Sequence, residues 1–416
     1  MVTDSYLPGH GNAGYRVRHY DLELDYKPGP ARLSGRALIT AEADGTLPRF
    51  ELDFGAFRIN RVLVDGKPAR YTHGGGKLRV RPAKAVRGAF TVEVRYVGTP
   101  RPVRTRHWGD LGWDQLTDGS LVASQPVGAP SWFPCDDRVS AKAPFRIAVT
   151  APSPYTVVAN GVLVDGKVGG STTSWVYASD APMAPYLATV QIGQYERVEL
   201  GGDQVAAVPA RLLPAFRHDF ARQPTMMALF CDLFGDYPFD SYAVVVTDDP
   251  LEVPVEAQSL SIFGANHVDG RRGFERLVAH ELAHQWFGNS VGLADWRHIW
   301  LNEGFATYAE WLWSESSGGP SAATLAEHSR AVIAALPQDI RLSDPGVARM
   351  FDDRVYQRGA LTLHALRERL GDAAFFELLR EWTSRHRHGT ATTEDFLALA
   401  GHRDLLTPWL ESPRLP

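Results

Sequence analysis

Cysteine is scarce in this chain: its 416 residues include two, Cys135 and Cys231. They are too few and too far apart in sequence to suggest a disulfide framework. A small scaffold built on disulfides is excluded, and two buried free thiols in a reducing interior are expected. Long apolar runs are missing as well. No stretch approaches the ~20 apolar residues of a membrane-spanning helix. The segment from Met1 to Tyr15 is polar and carries glycine and proline, with no basic stretch leading into an apolar one, so no secretory signal is read there. The compartment expected from this is the cytoplasm. A positive excess is also absent. The net charge of −5 and pI near 6.3 argue against nucleic acid or an anionic membrane as a general partner. Arg385-His386-Arg387-His388 is read as a solvated loop. Neither an internal repeat nor a low-complexity linker is present.

What is present is enough chain for more than one core. A length of 416 residues exceeds the size at which a single core keeps growing, and 44% hydrophobic content supplies two. From about residue 15 to 195 short strands are predicted: Arg16 to Tyr26, Ala37 to Ala43, Arg49 to Phe54, Leu78 to Arg81, Phe90 to Tyr96, Phe145 to Thr150, Thr156 to Val164 and Tyr186 to Ile192. Asp65-Gly66, Gly74-Gly75-Gly76 and Asp165-Gly166 are read as turns. The triple glycine precedes no helix and no Gly-Lys-Ser, so it is a hairpin turn rather than a phosphate loop. Beyond residue 196 the pattern becomes helical, with Pro214 to Phe234, Phe274 to Phe287 and Phe305 to Trp313 as helices and Tyr242 to Thr247 as a buried strand. Gly318-Gly319-Pro320 ends the third of these helices, and Thr392-x-x-Asp395 resembles a capping box opening a last one. The expected organisation is α+β: an all-β domain over residues 1–196 and a mainly helical domain over 197–416.

One short stretch concentrates chemistry. In His280-Glu281-Leu282-Ala283-His284 the two histidines are four apart, which on a helix puts them on one face about 6 Å apart along the axis. Phe274, Leu277, Val278, Leu282, Trp286 and Phe287 recur at helical spacing, and Gly288-Asn289 supplies a stop. Glu303 follows His284 by 19 positions, enough to finish one helix, turn, and return a carboxylate from a second. Two imidazoles and one carboxylate are a zinc ligand set, and Glu281 beside them is placed to act as a base. The competing reading, a metal-free buried helix, requires two histidines and two glutamates buried together without a compensating ion, which is costly.

Val278-Ala279-His280-Glu281-Leu282-Ala283-His284-Gln285-Trp286-Phe287-Gly288-Asn289, with Trp300-Leu301-Asn302-Glu303-Gly304-Phe305-Ala306, resembles the gluzincin aminopeptidases related to aminopeptidase N. Trp132-Phe133-Pro134-Cys135 with Lys142-Ala143 is similar to that family's first-domain signature, and Met183 to Tyr195 to the strand closing that domain. Val355-Tyr356-Gln357-Arg358-Gly359-Ala360 resembles its catalytic-tyrosine segment. The resemblance covers about residues 15 to 400. It implies a saddle-like β domain followed by a thermolysin-like catalytic domain holding one Zn2+ on His280, His284 and Glu303. Glu281 is implied as base and Tyr356 as oxyanion donor.

One element departs from the family pattern. Where Gly-x-Met-Glu-Asn is usual, this chain has Val253-Pro254-Val255-Glu256-Ala257-Gln258 and keeps only the acid. The resemblance implies Glu256 as anchor for a substrate's free α-amine, while a loop carboxylate facing solvent is the competing reading. Gln125, in Ser124-Gln125-Pro126, aligns with a family glutamine at the pocket for the first side chain, against an exposed amide of the β domain. Glu310 lies seven positions, two helical turns, after Glu303. It is expected either to orient a ligand imidazole or to be a surface ion-pair partner.

The function implied is a zinc aminopeptidase acting on peptides with a free N-terminus. Two other readings stand beside it. Many family members carry a further helical domain over the cleft, and the sequence as given ends at Pro416. That suggests an open cleft and a peptidase for a longer peptide, such as leader trimming of a ribosomal product, with endopeptidase action. A non-catalytic peptide-binding scaffold is the alternative of another class.

Overall fold

The computed structural model describes residues 3–416; Met1 and Val2, where the N-terminal stretch begins, lie outside the described residues. The chain forms two compact units. One contains the residues up to Glu199 together with Asp203–Leu213 and Phe239–Asn266; the other contains Leu200–Gly202, Pro214–Pro238 and His267–Pro416.

The first unit is built from sheets. An eight-stranded sheet runs, in spatial order, Val162–Val168, Thr172–Met183, Ala143–Pro152, Tyr15–Lys27, Arg32–Leu47, Val86–Gly98, Arg58–Val64 and Lys67–Pro68. All its pairings are antiparallel except that of Tyr15–Lys27 with Ala143–Pro152. Period-two alternation explains the long strands: Tyr20, Leu22, Leu24 and Tyr26 are buried while Asp21, Glu23 and Asp25 face outward to varying degrees. Tyr20 stacks on Phe145 at 4.5 Å and meets Phe133 edge-on at 5.5 Å, so the Trp132-Phe133-Pro134-Cys135 signature is core. The segment ahead of the first strand is pinned to three buried aspartates. Asp53 accepts the backbone N–H of Gly11 at 2.7 Å and pairs with Lys77, Asp136 pairs with Arg138, and Asp137 Oδ2 lies 3.0 Å from His10 Nδ1.

Several strand expectations match this unit and some need correction. Asp65 and Gly66 take φ of 49° and 72°, as a two-residue hairpin requires, and Gly75 and Gly76 turn between Arg70–Gly74 and Lys77–Arg81. Asp165-Gly166 is not a turn. Neither residue takes a positive φ, and both lie inside the strand Val162–Val168, whose register with Thr172–Met183 places the hairpin end at Gly170 and Ser171 instead. The predicted strand Thr156 to Val164 is two strands in different sheets, Thr156–Ala159 and Val162–Val168, broken where Gly161 takes a φ of 88°. Tyr186 to Ile192 opens as a 3-10 turn over Pro185–Leu187, because Pro185 and the bond from Ala188 N–H to its carbonyl set a turn first. Cys135 is buried as expected, whereas Cys231 is half-buried.

The second unit carries the helices. Among the described residues these are α1 (Leu213–Asp219), α2 (Gln223–Phe234), α3 (Glu275–Ala283), α4 (Trp300–Ser316), α5 (Ala322–Ala334), α6 (Asp353–Leu370), α7 (Asp372–Arg385), α8 (Thr393–Ala400) and α9 (Arg403–Glu411). The helix expected over Pro214 to Phe234 is thus two, parted at Phe220–Arg222. Thr392 and Asp395 form the expected capping box on α8, but α9 follows it. Phe287, Trp300, Phe305, Trp382 and Phe396 make one aromatic cluster behind α4, with neighbouring centroids 4.6 to 6.0 Å apart. No helix among the described residues is long and apolar enough to cross a membrane.

Candidate active site

α3 delivers the first two imidazoles. It stops at Ala283, earlier than the expected Phe287, because Gly288 turns the chain at φ 118° and the residues between form a tight turn. His284 nonetheless keeps helical geometry at the C-cap (φ −56°, ψ −22°), and its N–H donates to the His280 carbonyl at 3.2 Å. The two rings therefore share a face, with centroids 4.7 Å apart. Glu303, in the first turn of α4, closes the group: its Oε2 lies 3.4 Å from Nε2 of both histidines. All three side chains are buried.

The outer face of each imidazole is engaged. His280 Nδ1 donates to Glu310 Oε1 at 2.8 Å, and His284 Nδ1 donates to the carbonyl of Phe287 at 3.0 Å. An Nδ1–H fixed in this way makes Nε2 the nitrogen that offers a lone pair when the ring is neutral. Both Nε2 atoms converge on the Glu303 carboxylate. Arg276 pairs with the other Glu310 oxygen at 3.2 Å. Of its two expected roles, Glu310 thus holds an imidazole and also makes an ion pair.

Charge at the cluster is set by burial against these contacts. Burial pulls the His280 imidazole down, but its hydrogen bonds to Glu303 and Glu310 and the charges of Glu310 and Glu281 outweigh it and hold the ring well above its ordinary value. Burial raises the Glu303 carboxyl, and the charge and hydrogen bonds of His284 and His280 overcome this, bringing it down to about 2. The ligand atoms of His280, His284 and Glu303 lie within 4.8 Å of one another. Two nitrogens and one oxygen, buried and with Nδ1 contacts fixing their orientation, fit a tetrahedral zinc ion that keeps one position open. Glu281, buried on α3 directly after His280, brings a carboxylate oxygen within 4.8 Å of a His284 ring nitrogen.

α6 supplies the aromatic residue. Tyr356 sits in its first turn, half-buried, with its ring nearly parallel to that of His280 (17°) and centroids 6.0 Å apart. Asp352 caps the helix by accepting the N–H of Arg354 at 3.0 Å. The approach of α6 to α4 depends on two glycines. A Cβ on Gly304 would come 2.7 Å from Gly359 Cα, and one on Gly359 would come 2.6 Å from Gly304 Cα. The sequence reading missed this pair, although a glycine inside a helix, unfavourable by about 1 kcal/mol against alanine, is the signal that could have found it. The Phe287 carbonyl was missed as well, and a backbone acceptor leaves no mark in a sequence.

Glu256 and Gln125 belong to the first unit and are brought together there. Glu256 lies on the edge strand Val255–Ala257, opposite Ser261, and is buried, which sets aside the competing reading of a solvent-facing loop acid. Gln125 is half-buried rather than exposed, and its Nε2 donates to Glu256 Oε1 at 2.5 Å.

Comparison with known proteins agrees with this geometry. Residues 221–404 match the peptidase family M1 domain and residues 113–187 the peptidase M1 N-terminal domain. An M1 zinc metallopeptidase from Deinococcus radiodurans is 31% identical, with a TM-score of 0.90, over 99% of this chain and 97% of that one. A mutant M1 zinc metallopeptidase from the same organism has been solved bound to a Tyr-Ser-Ala substrate (31% identity, TM-score 0.90, 99% and 98% covered). Aminopeptidase M1-A of Oryza sativa subsp. japonica is 29% identical over 67% of this chain. The chain spans about a third of that relative's length, 34%.

Proposed function

The chain belongs to peptidase family M1, and from that premise we propose that it is a zinc-dependent aminopeptidase. The observation that carries the proposal is the convergence of two Nε2 atoms, each with its Nδ1 engaged, on one buried carboxylate. Zinc held there supplies a Lewis acid for a peptide carbonyl and lowers the pKa of water towards ~7.

The chain's own residues do the rest. Glu281 accepts a proton from the attacking water on its carboxylate and passes it to the nitrogen of the departing amine, so that one water is consumed and one amide bond broken. The Tyr356 hydroxyl donates a hydrogen bond to the carbonyl oxygen, and that bond strengthens as negative charge develops. Glu310 and the Phe287 carbonyl keep the imidazoles in the tautomer that presents Nε2. Glu256 pairs with the protonated N-terminus of the substrate, which fixes cleavage one residue in. Gln125, from the domain assigned to residues 1–196, holds the Glu256 carboxylate and contributes to the recess for the first side chain. The hydrolytic groups belong to the domain assigned to 197–416.

One peptide with a free amine and its N-acetylated twin, incubated with native protein and followed by mass spectrometry, test the proposal. Stepwise loss of N-terminal residues from the free peptide alone is expected. Cleavage inside the acetylated peptide would overturn the exopeptidase assignment, and an untouched free peptide would overturn the activity.

A further inference from the structure

The Asp-Gly pair that does not turn lies in an exposed place. The strand Val162–Val168 ends the eight-stranded sheet: one side pairs with Thr172–Met183, and among the described residues the other meets no strand. All seven of its residues are exposed, Val164 at 58% and Val168 at 79%. An open edge with apolar side chains is a template for another strand, and proteins usually guard such edges with charge, proline or a bulge. This edge has a bulge between Leu163 and Asp165, after which the register is regular from Asp165 opposite Val176 to Val168 opposite Thr173.

The order of residues on that edge selects an occupant. Val164, Asp165, Gly166, Lys167 and Val168 read outward from Gly166 as an acid and a base at equal distances, then a valine on each side. Set a second copy antiparallel with Gly166 opposite Gly166. Asp165 then faces the partner's Lys167 and Lys167 faces the partner's Asp165, both within the stretch whose register is regular. Residues directly opposite share a face, so both ion pairs lie side by side on one face. Moving the register by one residue loses both pairs. Moving it by two sets Asp165 against Asp165 or Lys167 against Lys167, and an in-register parallel partner matches like with like throughout. In the single chain Asp165 Oδ1 accepts the Gly166 N–H at 2.9 Å, and a carboxylate has acceptor capacity for a second donor.

We propose that Val162–Val168 is a self-pairing edge that joins two copies of this chain antiparallel about Gly166. A two-fold contact of this kind uses the same patch on both copies. Seven residues of strand are less than a standard stable interface, so the dimer is concentration-dependent.

Sedimentation velocity on the full chain over a wide concentration range tests this. Native protein should move from monomer to twice the monomer mass as concentration rises. Lys167→Asp and Asp165→Lys should each weaken self-association about tenfold or more, because both ion pairs become like-charge contacts. An equimolar mixture of the two variants should recover the native dimer, since one then offers two acids to the other's two bases. The double variant D165K/K167D should dimerise by itself. Peptide hydrolysis serves as a folding control, because none of these residues belongs to the site described above. Native protein that stays monomeric throughout, or a dimer that both single variants leave unchanged, overturns the proposal. Weakened single variants that fail to recover on mixing overturn the register.

Discussion

Two buried clusters of acids and bases stand in this chain, one in each unit, and they differ in what their charged atoms face. In the first unit Asp53, Asp136 and Asp137 are each matched within the protein, by Lys77, Arg138 and His10 respectively. Three acids meet three bases, and further carboxylate capacity is taken by backbone N–H groups of Gly11, Asn12 and Asp137. That network is closed. In the second unit the same chemistry is arranged to converge: His280 and His284 present Nε2 to Glu303 while Glu310 and the Phe287 carbonyl hold the far sides of the rings. A count of buried ionisable groups would not separate the two. The distinction is whether nitrogen lone pairs and a carboxylate meet at one point with their outer partners already assigned, and only the second cluster does this.

Substitutions can break or sharpen the contrast. The largest effect is expected from Glu303→Gln, which removes the charge on which both imidazoles converge. Zinc content should fall to background and hydrolysis with it, measured by elemental analysis and peptide turnover, while the first unit's network is untouched. Next, Lys77→Met leaves Asp53 buried without its cation, and losing one partner of a buried pair costs about 3–5 kcal/mol. Urea unfolding should show that loss, with zinc content of the folded fraction unchanged. Glu310→Gln keeps the shape but removes the charge on His280 Nδ1, so zinc affinity should fall by about 10–100-fold in a chelator competition, with little change in unfolding midpoint.

The smallest effect is a pH dependence in the closed cluster. Burial lowers the His10 imidazole, but its hydrogen bond to Asp137 and the charges of Asp137 and Asp53 outweigh this and raise it above 6.5. Asp137 itself is raised, chiefly by burial. The folded chain therefore binds protons more tightly than the unfolded chain at both groups, and stability falls as pH rises. The His10 contribution is fully present below pH 6.5 and is lost as pH climbs through the folded-state value. Native protein should exceed His10→Ala by about 1 kcal/mol at pH 6, and the difference should shrink towards pH 9 in thermal unfolding scans.

How much of this could be read from the chain follows from the range of the signals. The shared face of His280 and His284, and that of Glu303 and Glu310 two turns on, are set by helical period within a few turns, whereas the return of Glu303 and Glu310 to the imidazoles is a contact between α3 and α4 that spacing allowed but did not fix. The Thr392–Asp395 capping box and the Asp65-Gly66 hairpin are local in the same sense. Asp165-Gly166 carries an equally good local turn signal and still lies in a strand, because pairing with Thr172–Met183 decides where that hairpin ends. For Glu256 the competing reading of a solvent-facing loop acid stayed open for the same reason: its strand exists through pairing with Leu260–Phe263. Gly304 against Gly359 is a contact between helices 55 positions apart, visible only once both are placed. Long-range pairing, rather than propensity, is what the sequence pattern left open.

The most direct measurement compares native protein with Glu281→Gln in one preparation, reading zinc by plasma mass spectrometry and turnover on a free-amine peptide. With His280, His284 and Glu303 as ligands and Glu281 as the proton carrier, both proteins should hold one zinc per chain, and turnover should fall about 10²–10⁴-fold only in the variant. A variant that keeps its zinc and native turnover contradicts Glu281 as the base. Native protein purified without chelator that holds no zinc contradicts the metal centre itself.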